Sequence, residues 1–127
     1  MRIARLYADE RGETHFGHAD IPLASAALFP EQPPYRLTRF SAPRGVKLFA
    51  VPAGSGVFEW HTAPERQLAV ALNGTVEYET SDGEIRRLGP GEVLLVEDTT
   101  GRGHVTRFPD EEQYFFHIPV PDDWPVS

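Results

Sequence analysis

The chain has 127 residues, of which 40% are hydrophobic and 24% are charged, a balance typical of one soluble domain with one core. Its net charge of −7 and its scattered basic residues argue against nucleic acid as a partner, because an acidic protein repels phosphate backbones. The sequence has no cysteine, which excludes disulfides and thiolate chemistry. It also lacks an apolar run long enough to cross a membrane and a signal-like start, so we expect a cytoplasmic protein.

Proline and glycine are frequent, with 12 prolines and 11 glycines along the chain. Helix interiors tolerate neither residue well, since proline removes a backbone donor and glycine costs conformational entropy. No long stretch shows apolar residues at the 3.6-residue period of an amphipathic helix. The sequence therefore predicts an all-β fold with almost no helix.

The N-terminal third is predicted to contain strands followed by a wrapping segment. Residues 1–23 have strand character that is interrupted by a turn at 9–12. Residues 24–44 are rich in alanine and proline, and Pro33-Pro34 excludes a regular helix or a central strand there. We expect this segment to cover the surface of the domain, with one helical turn near residues 24–28.

From residue 46 onward, short apolar runs alternate with turn signals about every eight to twelve residues, which is typical of a sandwich or barrel. Asn73-Gly74 predicts a hairpin with a type I′ turn, because both residues accept positive φ. We expect one domain over residues 1–127, with a barrel over 46–120 and the N-terminal strand and wrapping segment over 1–44. The predicted strands of the barrel are 46–51, 57–61, 67–72, 75–80, 84–88, 92–96, 104–108 and 113–120.

The segment from Gly56 to His104 resembles the two-part signature of the cupin superfamily. The first cupin motif runs from a glycine through a His-x-His pair to a glutamate, and a second glycine follows after a fixed spacing. Here Gln67 precedes Gly74 by that spacing and holds the glutamate position. His61 then takes the first histidine position and Ala63 takes the second.

The second cupin motif runs from a glycine through a short loop to a histidine. Here Gly91 leads to the loop 97–103, which is longer than the usual loop and lacks its proline, and then to His104. The resemblance implies a double-stranded β-helix, a jelly-roll-like barrel. Three segments look like those of a group of small, uncharacterised bacterial cupins: 12–16, 60–67 and 97–104.

The resemblance implies a metal site formed by His61, Gln67 and His104. Two imidazoles and a carboxylate bind a divalent transition metal, here Fe, Mn, Zn or Ni, and no organic cofactor is expected. In this chain a neutral amide replaces the carboxylate, and Ala63 replaces the second histidine. His15 and His18 are assigned to the structure or the surface. Three further residues remain open as additional ligands: Glu59, Glu65 and His117.

Strand alternation predicts which side chains line a pocket. If Gln67 faces the interior, Ala69 and Ala71 face it too, and two small residues leave space for a ligand. The same alternation places Glu59 beside His61 on the preceding strand.

The last strands and one connection add to the predicted pocket. His104 brings Thr106 and Phe108 to the same face of its strand. Arg66 is a candidate for the mouth of the barrel, where an arginine could hold a substrate carboxylate, although a solvated pair with Glu65 is the simpler interpretation.

Two functions follow. The first is a small-molecule-binding cupin with a degenerate metal site. The alternative is a metal-dependent cupin enzyme, of dioxygenase or isomerase type, that acts on a small polar or carboxylate substrate. Motifs for a nucleophile elbow, a phosphate-binding loop and a His-Glu-x-x-His helix are absent from the sequence. We also expect a homodimer in which the strand at residues 3–7 crosses to the partner.

Overall fold

The computed structural model describes residues 1–26, 35–37 and 45–124, and all the regular structure in them is β-strand. This confirms the predicted all-β class, and none of the described segments forms a helix that could span a membrane. The strands are β1 (Arg2–Ala8), β2 (Thr14–Asp20), β3 (Ala24–Ala26), β4 (Tyr35–Leu37), β5 (Lys47–Val51), β6 (Val57–His61), β7 (Gln67–Ala71), β8 (Val76–Thr80), β9 (Ile85–Leu88), β10 (Val93–Val96), β11 (His104–Arg107) and β12 (Gln113–Pro119).

The strands form a six-stranded sheet in the order β2-β1-β10-β7-β12-β5 and a four-stranded sheet in the order β6-β11-β8-β9. A separate pair, β3-β4, lies in the region where we expected a helical turn, so that prediction is wrong for residues 24–26. Residues 27–28 and Pro33-Pro34 lie outside the described residues. The strand pairings of the described ranges close no barrel.

The strand β1 pairs with β2 on one edge and with β10 on the other, both within the same chain. Within one chain, both edges of this strand are thus hydrogen-bonded. The crossing of residues 3–7 to a partner stays a prediction. The homodimer itself stays a prediction.

The six-stranded sheet carries an apolar cluster on each face. Its inner face packs against the four-stranded sheet, and its outer face packs against the segments that follow β2 and β12. The inner cluster includes Leu6, Ala69, Val76, Tyr78, Leu94, Val96 and Phe115. The outer cluster includes Ile3, Ala19, Ile21, Leu95 and Val120, with Leu23 and Trp124 packed against it. Neighbouring residues such as Leu94 and Leu95 thus pack on opposite faces of the sheet, as the two-residue period of a strand requires.

Asn73-Gly74 does not form the predicted hairpin. The strand before it, β7, belongs to the six-stranded sheet, whereas the strand after it, β8, belongs to the four-stranded sheet. Only Gly74 has positive φ. Asn73 instead binds the chain near β12, because its Nδ2 donates to the Glu112 carbonyl at 2.8 Å and its Oδ1 accepts from the Tyr114 N–H at 2.7 Å. The dipeptide therefore forms a corner between sheets.

His15 connects the two sheets at the end of the molecule where β1 turns into β2. Its Nε2 lies 2.8 Å from an Asp9 carboxylate oxygen, and its Nδ1 lies 2.8 Å from a carboxylate oxygen of Asp82 in the β8–β9 turn. These contacts, led by the hydrogen bond to Asp9, raise the pKa of His15 above its usual value. The imidazolium form donates both hydrogens and therefore favours the folded state.

We predict that His15→Gln destabilises the fold more at pH 5.5 than at pH 9. A histidine whose pKa is raised on folding stabilises the folded state fully below its unfolded pKa of about 6.5, and this stabilisation disappears as pH rises through the folded pKa. Urea unfolding at the two pH values measures the difference. His18→Gln, which replaces an exposed histidine on the same strand, is the matched control. A loss at pH 5.5 no greater than that of the control would contradict the prediction.

Candidate functional site

A cavity of about 450 Å³ opens between the two sheets. Most of its wall is apolar and includes Phe58, Ala69, Val96, Phe108 and Phe115. The polar side chains on its wall include His61, Gln67, Tyr78, His104, Thr106 and His117. The three residues predicted as metal ligands therefore share one cavity, although they come from three different strands.

A β-bulge in β6 decides which of its residues reach the cavity. His61 pairs with His104, but Phe58 pairs with Thr106, so three steps along β6 match two steps along β11. The extra residue resets the alternation and brings both Phe58 and His61 to the cavity. The prediction that Glu59 faces inward is therefore wrong, because it assumed an uninterrupted period of two, and its side chain is exposed.

His61 and His104 lie side by side, with ring centroids 4.4 Å apart. His61 stacks on Phe58 at 3.7 Å, and its Nδ1–H donates to the Glu59 carbonyl at 2.7 Å. Burial lowers the pKa of His61. Its ring is therefore neutral at pH 7, and with the proton on Nδ1 it keeps an acceptor lone pair on Nε2.

Asp98 supports His104 from the loop before β11. Its Oδ2 lies 2.6 Å from His104 Nδ1, and its side chain is fully buried. In the neutral form of His104 the shared proton belongs to Nδ1, so this ring also keeps its lone pair on Nε2. The other carboxylate oxygen of Asp98 has no hydrogen-bond partner among the described residues.

Gln67 and His117 face this pair from the six-stranded sheet. Gln67 Nε2 donates to His117 Nδ1 at 3.3 Å, and burial, followed by the nearby charge of Lys47, lowers the pKa of His117 to about 4. His117 is therefore neutral at pH 7 and carries its proton on Nε2. Gln67 is 3% exposed, and its Oε1 has no hydrogen-bond partner in the described part of the chain.

Several other predicted site residues reach the cavity, and three do not. Ala69, Thr106 and Phe108 line it as predicted. Ala71 faces inward but belongs to the packed core beyond the cavity. Arg66 precedes Gln67 and points the opposite way, where it binds Glu97 Oε2 at 2.7 Å and the Pro121 carbonyl at 2.9 Å. The interpretation of Arg66 as a substrate-binding group at the mouth is therefore wrong, as is that of Glu59 as a pocket residue.

Asp98 is a site residue that the sequence did not predict, and His117 was predicted only as an additional ligand. An aspartate in a glycine-rich loop is ordinarily exposed, so its residue type gives no signal of burial. For His117, the alternation of β12 gives a signal, since the buried Gln113 and Phe115 precede it at a spacing of two.

The predicted metal ligands offer some, but not all, of the donor atoms that a divalent metal ion requires. His61 and His104 present two imidazole nitrogens, and Gln67 adds a carbonyl oxygen that has no partner within the described ranges. No three His, Asp or Glu side chains form a metal-binding group within residues 1–26, 35–37 and 45–124. The set thus has no anionic ligand to compensate the charge of a cation.

The chain matches no protein-family model and no curated protein. The function of the chain is therefore inferred from the geometry of this cavity and from the motif residues that line it.

Gly103 holds the two central histidines in register. Its φ is +76°, and a Cβ at this position would lie 2.2 Å from the His61 carbonyl oxygen. Its own carbonyl accepts a hydrogen bond from Thr14 Oγ1 at 2.7 Å. The absence of a side chain at Gly103 thus allows the loop before β11 to approach the end of β6.

We predict that Gly103→Ala destabilises the protein by about 1–3 kcal/mol more than Gly83→Ala. Both glycines have positive φ, at +76° and +91°, so both variants share the cost of that conformation. Gly83 faces open space, and the difference therefore isolates the steric contact with His61. Thermal or urea unfolding measures it, and equal losses would show that the contact is not tight.

Proposed function

We propose that the chain is a cupin-type domain that binds a small molecule in the cavity between its sheets, with His61, His104 and Gln67 as a degenerate metal site. The observation that carries this proposal is the 450 Å³ cavity with a mainly apolar wall and a few converging polar groups. Ligand sites commonly have about 300–1,000 Å³ and this balance of apolar and polar lining.

The arrangement of the motif residues supports the cupin part of the proposal. His61 comes from the first motif and His104 from the second, and the two residues are register partners on neighbouring strands. Gln67, at the position of the family's glutamate, lines the same cavity from the other sheet. Two sheets enclosing such a site agree with the jelly-roll-like architecture that the resemblance implies.

The neutral fluorescent probe N-phenyl-1-naphthylamine tests the binding function. We expect saturable binding at one site per chain, because the cavity is apolar and large enough for a ring system. Ala69→Phe should reduce the affinity at least about tenfold, since Ala69 is a buried residue of the cavity wall.

Ile85→Ser is the control for the probe experiment, because Ile85 is an exposed apolar side chain on β9 outside the cavity wall. This variant should bind the probe as the wild type does. Circular dichroism and unfolding curves establish that both variants fold. If Ala69→Phe folds and binds as tightly as the wild type, the probe does not occupy the cavity and the proposal fails.

A metal-dependent enzyme is the second candidate, and one observation favours it. The Nδ1 atoms of His61 and His104 are held by a backbone carbonyl and a carboxylate, which is how proteins orient metal-binding histidines. A bound divalent metal would supply Lewis-acid chemistry to a small polar substrate. His61, His104 and Gln67 would hold it, and Asp98 would fix the orientation of His104.

Titration with Co²⁺ tests the metal site directly. We predict that Gln67→Glu binds Co²⁺ at least about tenfold more tightly than the wild type, because it adds an anionic ligand to a neutral set. His61→Ala should abolish binding, and His15→Ala, outside the cavity, should leave it unchanged. Stoichiometric binding that survives in His61→Ala would show that other residues hold the metal.

A further inference from the structure

Histidine is the only kind of ionisable side chain apart from Tyr78 on the described wall of the cavity. Of the described residues that line it, none is Lys, Arg, Asp or Glu. Arg66, the cation next to Gln67 in sequence, is engaged by Glu97 and Pro121 on the opposite face of β7. A carboxylate or ammonium group would therefore lose its hydration without meeting a Lys, Arg, Asp or Glu side chain on the described wall, which is unfavourable.

Gln67 provides a fully buried polar atom with an unfilled hydrogen-bonding capacity on the cavity wall. Gln67 Oε1 is buried without a partner among the described residues, while Gln67 Nε2 is already directed at His117 Nδ1. A buried carbonyl oxygen without a donor costs free energy, and a ligand that supplies a donor recovers it. The opposite wall adds the Nε2 lone pair of His61, whose Nδ1–H is occupied by the Glu59 carbonyl. A hydrogen-bond donor on the ligand would therefore satisfy these two acceptors, Gln67 Oε1 and His61 Nε2.

The apolar part of the wall indicates the body of the ligand. Phe58, Phe108 and Phe115 all line the cavity, and aromatic rings pack well against a flat ring system. Ala69 leaves room beside Gln67 on the same strand.

We infer that the cavity selects a neutral, hydroxylated aromatic molecule whose hydroxyl group donates to Gln67 Oε1. This inference rests on the proposed binding function and specifies its ligand class. It replaces the expectation of a carboxylate substrate, because the unsatisfied atom beside the cavity, Gln67 Oε1, is an acceptor and would repel a carboxylate oxygen.

A series of four naphthalene probes tests the inference by isothermal titration at pH 7 in the presence of EDTA. The probes are 2-naphthol, its methyl ether 2-methoxynaphthalene, 2-naphthoate and 2-naphthylmethylammonium. We expect 2-naphthol to bind at least about tenfold more tightly than each of the others, because only it is both neutral and a hydroxyl donor.

The variant Gln67→Leu tests whether Gln67 Oε1 causes the preference for 2-naphthol over its methyl ether. We expect this variant to bind 2-naphthol and the methyl ether with affinities within about twofold, since the acceptor is gone and the apolar wall remains. Gln113→Leu is the matched control, because Gln113 is also a buried glutamine whose Oε1 has no hydrogen-bond partner among the described residues, but it lies outside the cavity wall. It should keep the full preference of the wild type.

The possible outcomes distinguish a failure of the inferred ligand class from a failure of the proposed binding function. Equal affinities of the wild type for 2-naphthol and its methyl ether would overturn the inference, as would tightest binding of 2-naphthoate or the ammonium probe. Either result would still be consistent with small-molecule binding in the cavity. Absence of binding by all four probes would overturn the proposed function itself.

Discussion

The pairing of β6 with β11 determines what the cavity contains. A bulge in β6 brings Phe58 and His61 to the same face, and the register places His61 opposite His104. The pairing depends on Gly103, since its backbone lies against the His61 carbonyl at a distance that leaves no room for a Cβ. With a regular ladder at this point, Glu59 would face the cavity, and a carboxylate would stand where the structure has an aromatic ring.

The cavity persists because small and polar residues interrupt the packing between the sheets. Leu6, Leu94 and Phe115 fill the inner face of the six-stranded sheet, whereas Ala69 and Gln67 leave space beside them. Each wall carries one polar pair, His61–His104 on one sheet and Gln67–His117 on the other. A ligand enclosed between the walls would meet the unsatisfied acceptor Gln67 Oε1 in apolar surroundings, which favours a neutral donor over an ion.

Local patterns predicted most strands and the inward direction of Gln67 and Ala69, because alternation and turn residues are encoded within a few neighbours. Features that depend on distant partners were not predictable in this way. Asn73 forms a corner because Tyr114 and Glu112 bind its side chain, and these residues are remote in sequence. Asp98 is buried because the loop folds over His104, whereas composition alone indicates an exposed turn.

The five histidines provide the most direct test, since His61, His104 and His117 line the cavity while His15 and His18 do not. Imidazole ¹H–¹⁵N NMR spectra, recorded during titration with 2-naphthol, report each ring separately. Our account predicts saturable shifts of the three cavity histidines with one binding constant, and no shift of the other two. Shifts confined to His15 and His18, or equal shifts of all five rings, would contradict a ligand site between the sheets.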